Sequence, residues 1–522
     1  MTKVVCYRGK LTNHDELCVS HSIDQNLNDV ELIEKLYLKY EEQFVNFIEG
    51  NYVIVISDAE KYLLIRDRVG FKSLYYINQN GVLLYGLNLK EIMNQLFIKP
   101  SINSNAIYHY LSFWALPADM TWFENVYKVE PGTYVVIQNG KVSKTKYYSF
   151  AKYINNSQID NIDSVEKKID ELISTSIMKR QNEYSIALSG GIDSIFLAAL
   201  SNRNNVKFDT ISVYVNSNSD NEEIHRIKNV SKYINTNAMY YRSCEISVNS
   251  INEVAHWIAK KTYEPMQLLD MMLILTILYN GEKEVLFGEG ADELGGYLEY
   301  IRAKEINELL NMRTQKVHNE RFYKNIYFCN KHVLGLTEGQ KKRIWKKDIA
   351  SNSYDYLYSI TNEIDDEVKD SYVRKLQNID LSFRLPEYLL KRTDTVSQLT
   401  GTQIDFPFLN RELIEYCVQI DKDIMMDKHT VKKIFKSILN KYIESDQWGK
   451  SKIGMGDELS KYIEDIVFKI YKNDIEINME HPLFEFLDRD ELENMMIHNK
   501  YIVWSIYSLG VWLEEILQSK NS

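Results

Sequence analysis

Tyr184-Ser185-Ile186-Ala187-Leu188-Ser189-Gly190-Gly191-Ile192-Asp193-Ser194 is an apolar strand that runs through a glycine pair into the helical Ile195–Leu200. Strand, loop and helix in that order make a phosphate cradle. The glycines let backbone N–H groups approach a phosphate, the helix N-terminus supplies partial positive charge, and Ser189 and Ser194 add hydroxyl donors. Asp193 would repel phosphate unless it held a cation such as Mg²⁺. The loop lacks the GxxxxGKS/T spacing of a Walker A motif. Taken alone, the same residues also suit a glycine turn capped by Asp193 and Ser194.

Around this stretch the amphipathic Ser164–Lys179 alternates with apolar runs at Thr210–Val215 and Glu284–Phe287, the pattern of an α/β doubly wound parallel sheet. Upstream, the first ~150 residues hold short alternating segments bounded by turn signals. Tyr52–Ile56, Tyr62–Arg66 and Ser73–Ile77 read as strands, and Asn139-Gly140 between Tyr134–Gln138 and Lys141–Lys144 reads as a tight hairpin turn. The polar Asn155–Asp163 then separates a β-rich α+β domain, 1–155, from an α/β domain, 160–522. After Gly296 the chain looks mostly helical, ending in Ile502–Leu517.

A chain of 522 residues with 45% hydrophobic and 26% charged residues can bury more than one core. Its 62 Lys and Arg against 73 Asp and Glu give a net charge of −11, which argues against nucleic acid as the main partner. Cys6, Cys18, Cys244, Cys329 and Cys417 are scattered without CxxC spacing and read as reduced core thiols rather than a zinc site. No uninterrupted apolar run reaches about 18 residues. The expectation is a cytoplasmic protein without a membrane partner.

A second acidic motif follows the Glu284–Phe287 run: Gly288-Glu289-Gly290-Ala291-Asp292-Glu293-Leu294-Gly295-Gly296-Tyr297. Carboxylates beyond the end of a parallel strand stand where α/β folds bind ligands. SGGxDS resembles the pyrophosphatase loop of enzymes that split ATP into AMP and pyrophosphate, including asparagine synthetases and tRNA-thiolation enzymes, and the second motif is similar to the GEGADE loop of asparagine synthetases. Further landmarks of that family are matched by Arg66-Asp67-Arg68-Val69-Gly70-Phe71-Lys72-Ser73-Leu74-Tyr75-Tyr76, Pro131-Gly132, Glu264-Pro265, Pro407-Phe408-Leu409-Asn410 and Trp512-Leu513-Glu514. Lys452-Ile453-Gly454-Met455-Gly456 resembles the family's KxGFG.

The resemblance implies ATP and Mg²⁺, with Asp193 and Asp292 sharing the metal. It implies nucleotide contacts from Leu188, Ser189, Gly190, Gly191, Asp193, Ser194, Val213 and Gly288. Glu289 would face the reacting carbonyl as base or polar stabiliser, and Lys452 would offset charge in the transition state. The family usually carries a Phe between Leu and Gly-Gly that is missing after Leu294, so this loop should follow a different path.

Glutamine-dependent members carry a cysteine directly after the initiator Met, with its α-amino group as base. This chain has Thr2, and Arg8 and Lys10 stand where the glutamine-binding Asn and Glu would be. The first domain therefore reads as a truncated, inactive Ntn-amidotransferase-like scaffold. β-Lactam synthetases and lasso-peptide cyclases resemble this arrangement, and Glu289, where the former typically have Tyr, favours the latter. The function implied is ATP-dependent amide formation through an acyl-adenylate, closing a macrolactam on a precursor peptide, with a leader-binding protein and a protease as possible co-workers. The alternatives are an ammonia- or amine-dependent synthetase acting on a small carboxylate and a non-catalytic nucleotide-binding protein. In place of the family's ExRVPFLD this chain has Gln403-Ile404-Asp405-Phe406-Pro407-Phe408-Leu409-Asn410, a change of local charge that counts against aspartate as substrate.

Overall fold

In the computed structural model the Tyr184–Ala187 run is the central strand of a five-stranded, wholly parallel sheet. The structure describes residues 2–521 apart from 60, 80–81, 98–99, 157–158, 181–182, 216–221, 267, 280–283, 312–334, 350 and 449–456.

The strands are β1 (Lys3–Leu11), β2 (Gly50–Asp58), β3 (Lys61–Arg66), β4 (Tyr75–Gln79), β5 (Val82–Gly86), β6 (Tyr127–Lys128), β7 (Thr133–Gln138), β8 (Lys141–Lys146), β9 (Tyr184–Ala187), β10 (Phe208–Val215), β11 (Met239–Cys244), β12 (Glu284–Leu286) and β13 (Gln403–Asp405). The first eight pair antiparallel in two sheets, β1-β2-β3-β7-β8 and β5-β4-β6. The parallel sheet runs β11-β10-β9-β12-β13.

Alternation explains how the larger antiparallel sheet is covered on both faces. Tyr52, Ile54 and Ile56 of β2, with Leu63 and Ile65 of β3, pack on Leu32, Ile33, Leu36 and Tyr37 of the helix Asp29–Tyr40. Val53, Val55 and Leu64 point the other way and pack with Tyr76, Val129, Val135 and Ile137. One residue of register slip would exchange these two sets. The expected hairpin is present, with Asn139 at φ 50° and Gly140 at φ 74°. Ser73 and Leu74, expected in a strand, form a buried loop that leads into β4. The N-terminal region is also more helical than its alternation suggested, carrying His14–His21, Asp29–Tyr40, Leu89–Asn94 and Ser104–Phe113.

In the α/β part, helices Ile162–Met178, Ile192–Arg203, Leu268–Leu278 and Lys391–Thr400 cover the parallel sheet. Strands β11 and β13 were not anticipated: Met239–Tyr241 is largely exposed at the sheet edge, and β13 spans three residues. The C-terminal helix Val503–Asn521 buries Trp512, which stacks near Trp122 and donates Nε1–H to the Tyr263 carbonyl at 2.9 Å. No described helix is long and apolar enough to cross a membrane. Cys6, Cys18, Cys244 and Cys417 are free thiols; Cys329 lies outside the described residues.

The RDRVGFKSLYY stretch supplies buried ion pairs between the two parts. The Asp67 carboxylate accepts the Val69 and Gly70 N–H groups at 3.0 and 2.7 Å, folding the turn that presents its neighbours. Arg66 reaches Glu387 at 2.8 Å, Lys72 reaches Asp394 at 3.2 Å, and the Tyr75 hydroxyl donates to Glu264 at 2.7 Å. Lys128 pairs with the other oxygen of Glu387. Glu387 lies on a π-helical segment, Asp380–Leu390, that contains Pro386 and so lacks one backbone donor.

Removing Glu387 would strand two buried cations, so Glu387→Ala should lower the urea midpoint by an amount worth roughly 3–5 kcal/mol. Glu491→Ala at the exposed Arg343 pair should cost under about 1 kcal/mol. Equal shifts for the two variants would show that Glu387 does not join the parts.

Candidate functional site

The order of the parallel sheet reverses at β9, so β9 and β12 lie side by side, and the loops leaving their C-terminal ends meet. Gly288 is what permits the meeting: a Cβ there would lie 2.9 Å from Cβ of Asp193. Gly190 sits at φ 74° and Gly290 at φ 98°. A side chain at Gly290 would also strike Leu409, 2.4 Å away.

Within the first loop the hydroxyls organise the backbone. The Ser194 Oγ accepts the Ser189 N–H at 3.2 Å and donates to the Gly191 carbonyl at 3.1 Å, closing the turn over the start of the helix Ile192–Arg203. Ser189 is exposed and Ser194 is buried. The Leu188 N–H donates to Ile211 O at 2.8 Å and the Leu188 carbonyl accepts the Ser212 hydroxyl at 2.8 Å, tying the loop to β10, where Val213 is half-buried.

Asp193 and Asp292 converge on one point, and that point is the Lys432 ammonium. Nζ lies 2.6 Å from Asp193 Oδ1, 2.7 Å from Asp193 Oδ2 and 2.8 Å from Asp292 Oδ1. Lys432 is 4% exposed, and the two carboxylates hold its ammonium well above the usual lysine range. Nothing in the local sequence, Asp427-Lys428-His429-Thr430-Val431-Lys432-Lys433, singles it out. Its backbone is left-handed, φ 57° and ψ 34°, a conformation costing about 1 kcal/mol or more for a residue with a Cβ. Gly295 makes room for it: a Cβ there would lie 2.8 Å from Lys432 Cγ, and the Lys432 N–H donates to the Gly295 carbonyl at 2.9 Å. The missing Phe after Leu294 therefore coincides with a short helix, Ala291–Gly295, whose end packs directly on this lysine.

Two carboxylates sharing one cation match what Mg²⁺ takes from protein when phosphates and water supply its other ligands. Among the described residues no three His, Cys, Asp or Glu side chains converge as a self-sufficient metal site.

Glu289 and Glu293 stand beside this pair. Burial, then Glu293, Asp193 and Asp292, push the Glu289 carboxyl up to about 7. Burial and Asp292 do the same to Glu293, which accepts the Tyr297 hydroxyl at 2.5 Å. Behind them Arg384 lies over the Tyr297 ring at 4.9 Å and 3.7 Å from Asp380, which accepts the Tyr300 hydroxyl at 2.6 Å. Lys452, with its KxGxG neighbours, lies outside the described residues. The charge introduced by Asp405 is offset within the fold, because Arg180 pairs with it and Asn51 donates to it at 3.0 Å.

In the N-terminal region, Thr2 Oγ1 donates to Asp58 at 2.8 Å. Burial raises the Cys6 thiol away from the reactive thiolate. Asp29 accepts the Tyr7 hydroxyl of β1 at 2.5 Å and lies 2.7 Å from His14 Nδ1.

Comparison with known proteins follows this division. The family model described as asparagine synthase matches residues 168–514, and that of a glutamine amidotransferase domain matches residues 1–148. The chain is 21% identical over 564 residues to asparagine synthetase (glutamine-hydrolyzing) 1 of Bacillus subtilis, covering 97% of this chain and 85% of that one. It is 22% identical to amidase chry2 of Gibberella zeae, covering 85% and 76%. It is 25% identical to amidase chyE of Penicillium rubens, covering 54% of this chain and 44% of that protein, so it spans less than half the length of that relative. With its matched phosphate loop, its GEGADE motif and a family match over 168–514, this chain belongs to the asparagine synthase family.

Proposed function

We propose that this chain joins a carboxylate to an amine with ATP, through an acyl-adenylate, releasing AMP and pyrophosphate. The observation that carries the reading is the convergence of Asp193 and Asp292, from two adjacent strand ends, on one cation site beside an anion-binding loop. A substrate carboxylate oxygen attacks the α-phosphorus and the bond to pyrophosphate breaks. The amine then attacks the acyl carbon, and AMP leaves with the acyl–oxygen bond. The loop and the N-terminus of the helix Ile192–Arg203 hold the departing phosphates, and Lys432 supplies a fixed positive charge. Mg²⁺ between Asp193 and Asp292 would add neutralisation of the pyrophosphate. Glu289, with a carboxyl near 7, suits the proton that the amine gives up. Lys452 is proposed as a further neutralising charge.

We read the amine source as something other than glutamine. Thr2 is engaged with Asp58, and no thiol near the N-terminus has an activating partner among the described residues. A peptide substrate, closed to a macrolactam, is the reading we prefer; a cleft near the site mixes aromatic side chains, Trp114, Trp122 and Tyr388, with charged ones, Lys128, Glu264 and Lys391. Tyr388 is one helical turn from Arg384, which borders the Glu293 cluster. A leader-binding protein and a protease are the partners this reading calls for.

AMP and pyrophosphate should form with a precursor peptide that loses the mass of one water, and Asp193→Ala should reduce the rate at least about 100-fold. AMP formed with aspartate and ammonia would replace the peptide by a small carboxylate. Glutamate released from glutamine would overturn the reading of the N-terminal region.

Glu289 has an ordinary value of 4.5 and a folded value of about 7, so the native state binds its proton more tightly and loses stability as pH rises through that window. Glu289→Gln should therefore melt above wild type at pH 8, with the difference gone below about pH 4.5, while turnover falls. A melting difference that does not change with pH would show that the carboxyl is solvated.

A further inference from the structure

Arg226, on the helix Glu222–Val230, reaches across to the phosphate loop and donates from Nη1 to the Gly190 carbonyl at 3.4 Å. Ile227 and Val230 are buried and seat that helix, which leaves the half-buried Arg226 on the flank facing the loop. The helix Ser445–Trp448, from which the chain runs on toward Lys452, packs against the same helix.

The contact falls on a peptide that follows a left-handed residue. Gly190 sits at φ 74°, and no described peptide bond is cis, so the Gly190 carbonyl and the Gly191 N–H point in opposite directions within one plane. Holding the carbonyl on the Arg226 side therefore aims the N–H to the other side, where it meets the exposed Ser189 hydroxyl at 3.4 Å. Glycine alone would let this peptide turn over at little cost. A turned peptide would set a carbonyl oxygen against an incoming phosphate.

Charge acts in the same direction. Lys432 is shared between Asp193 and Asp292, so its charge is offset before any phosphate arrives. A guanidinium at the loop adds positive charge in the planar, forked form that suits phosphate oxygens. Resting on the reading of this site as one that splits ATP into AMP and pyrophosphate, we propose that Arg226 is a positioning residue for the pyrophosphate end of the nucleotide. It locks the Gly190–Gly191 peptide with its N–H toward the phosphates and adds its own charge beside them. The adenosine and its α-phosphate depend on it far less.

The test measures heats of binding of pyrophosphate, ATP and AMP, each with Mg²⁺, to the full wild-type chain and to Arg226→Gln and Arg226→Lys. Pyrophosphate should bind at least about tenfold more weakly to Arg226→Gln while AMP changes by less than about twofold, with a smaller selective loss in Arg226→Lys, which keeps the charge. A merely structural role would weaken AMP and pyrophosphate in the same proportion, and that result would overturn the assignment, as would pyrophosphate binding unchanged in Arg226→Gln. If Arg226→Gln does not fold, the same comparison on Arg226→Lys decides. Wild-type protein that binds neither ATP nor pyrophosphate would overturn the reading of the site itself, and the assignment with it.

Discussion

Two aspartates brought together on neighbouring strand ends repel each other unless a cation lies between them, and in this fold Lys432 is that cation. Much of the surrounding sequence is explained by the need to seat it. Gly288 lets the two acidic loops close to contact, Gly295 clears the path of the lysine stem, and the left-handed backbone at Lys432 aims the ammonium inward. Glu289 and Glu293 then sit buried beside further carboxylates, so burial first and the neighbouring negative charge second hold their protons.

The N-terminal region, which matches a glutamine amidotransferase domain, is tied closely to the α/β part. Its strongest motif folds around Asp67 and sends Arg66, Lys72 and Tyr75 into the α/β part. Burial of these pairs makes the junction specific in geometry, because each charge is intolerable without its partner. Beside β1, Tyr7 and His14 both bond to Asp29.

The parallel sheet and both acidic loops were legible because apolar runs of four to eight residues ending in glycines leave few alternatives. The alternating strands β2, β3, β7 and β8 were legible for the same reason, through a period of two. Edge strand β11 was not, since Met239-Tyr240-Tyr241 is largely exposed and lacks the buried pattern of a central strand. Lys432 escaped notice because its importance lies in a tertiary meeting across 239 residues of chain from Asp193, with no local spacing to mark it. Arg180 was missed likewise: Asp405 looks like an uncompensated change of charge until the fold brings its partner alongside.

The π-helical segment Asp380–Leu390 touches both halves of this design. Its first residue anchors Tyr300, Arg384 covers Tyr297, and Glu387 receives Arg66 and Lys128. A helix that carries such an extra residue can lose it and relax to ordinary winding, but each residue removed turns everything downstream by about 100°. Relatives should thus keep the count of these eleven positions together with the carboxylates at Asp380 and Glu387, and vary at the positions of the segment that make none of these contacts.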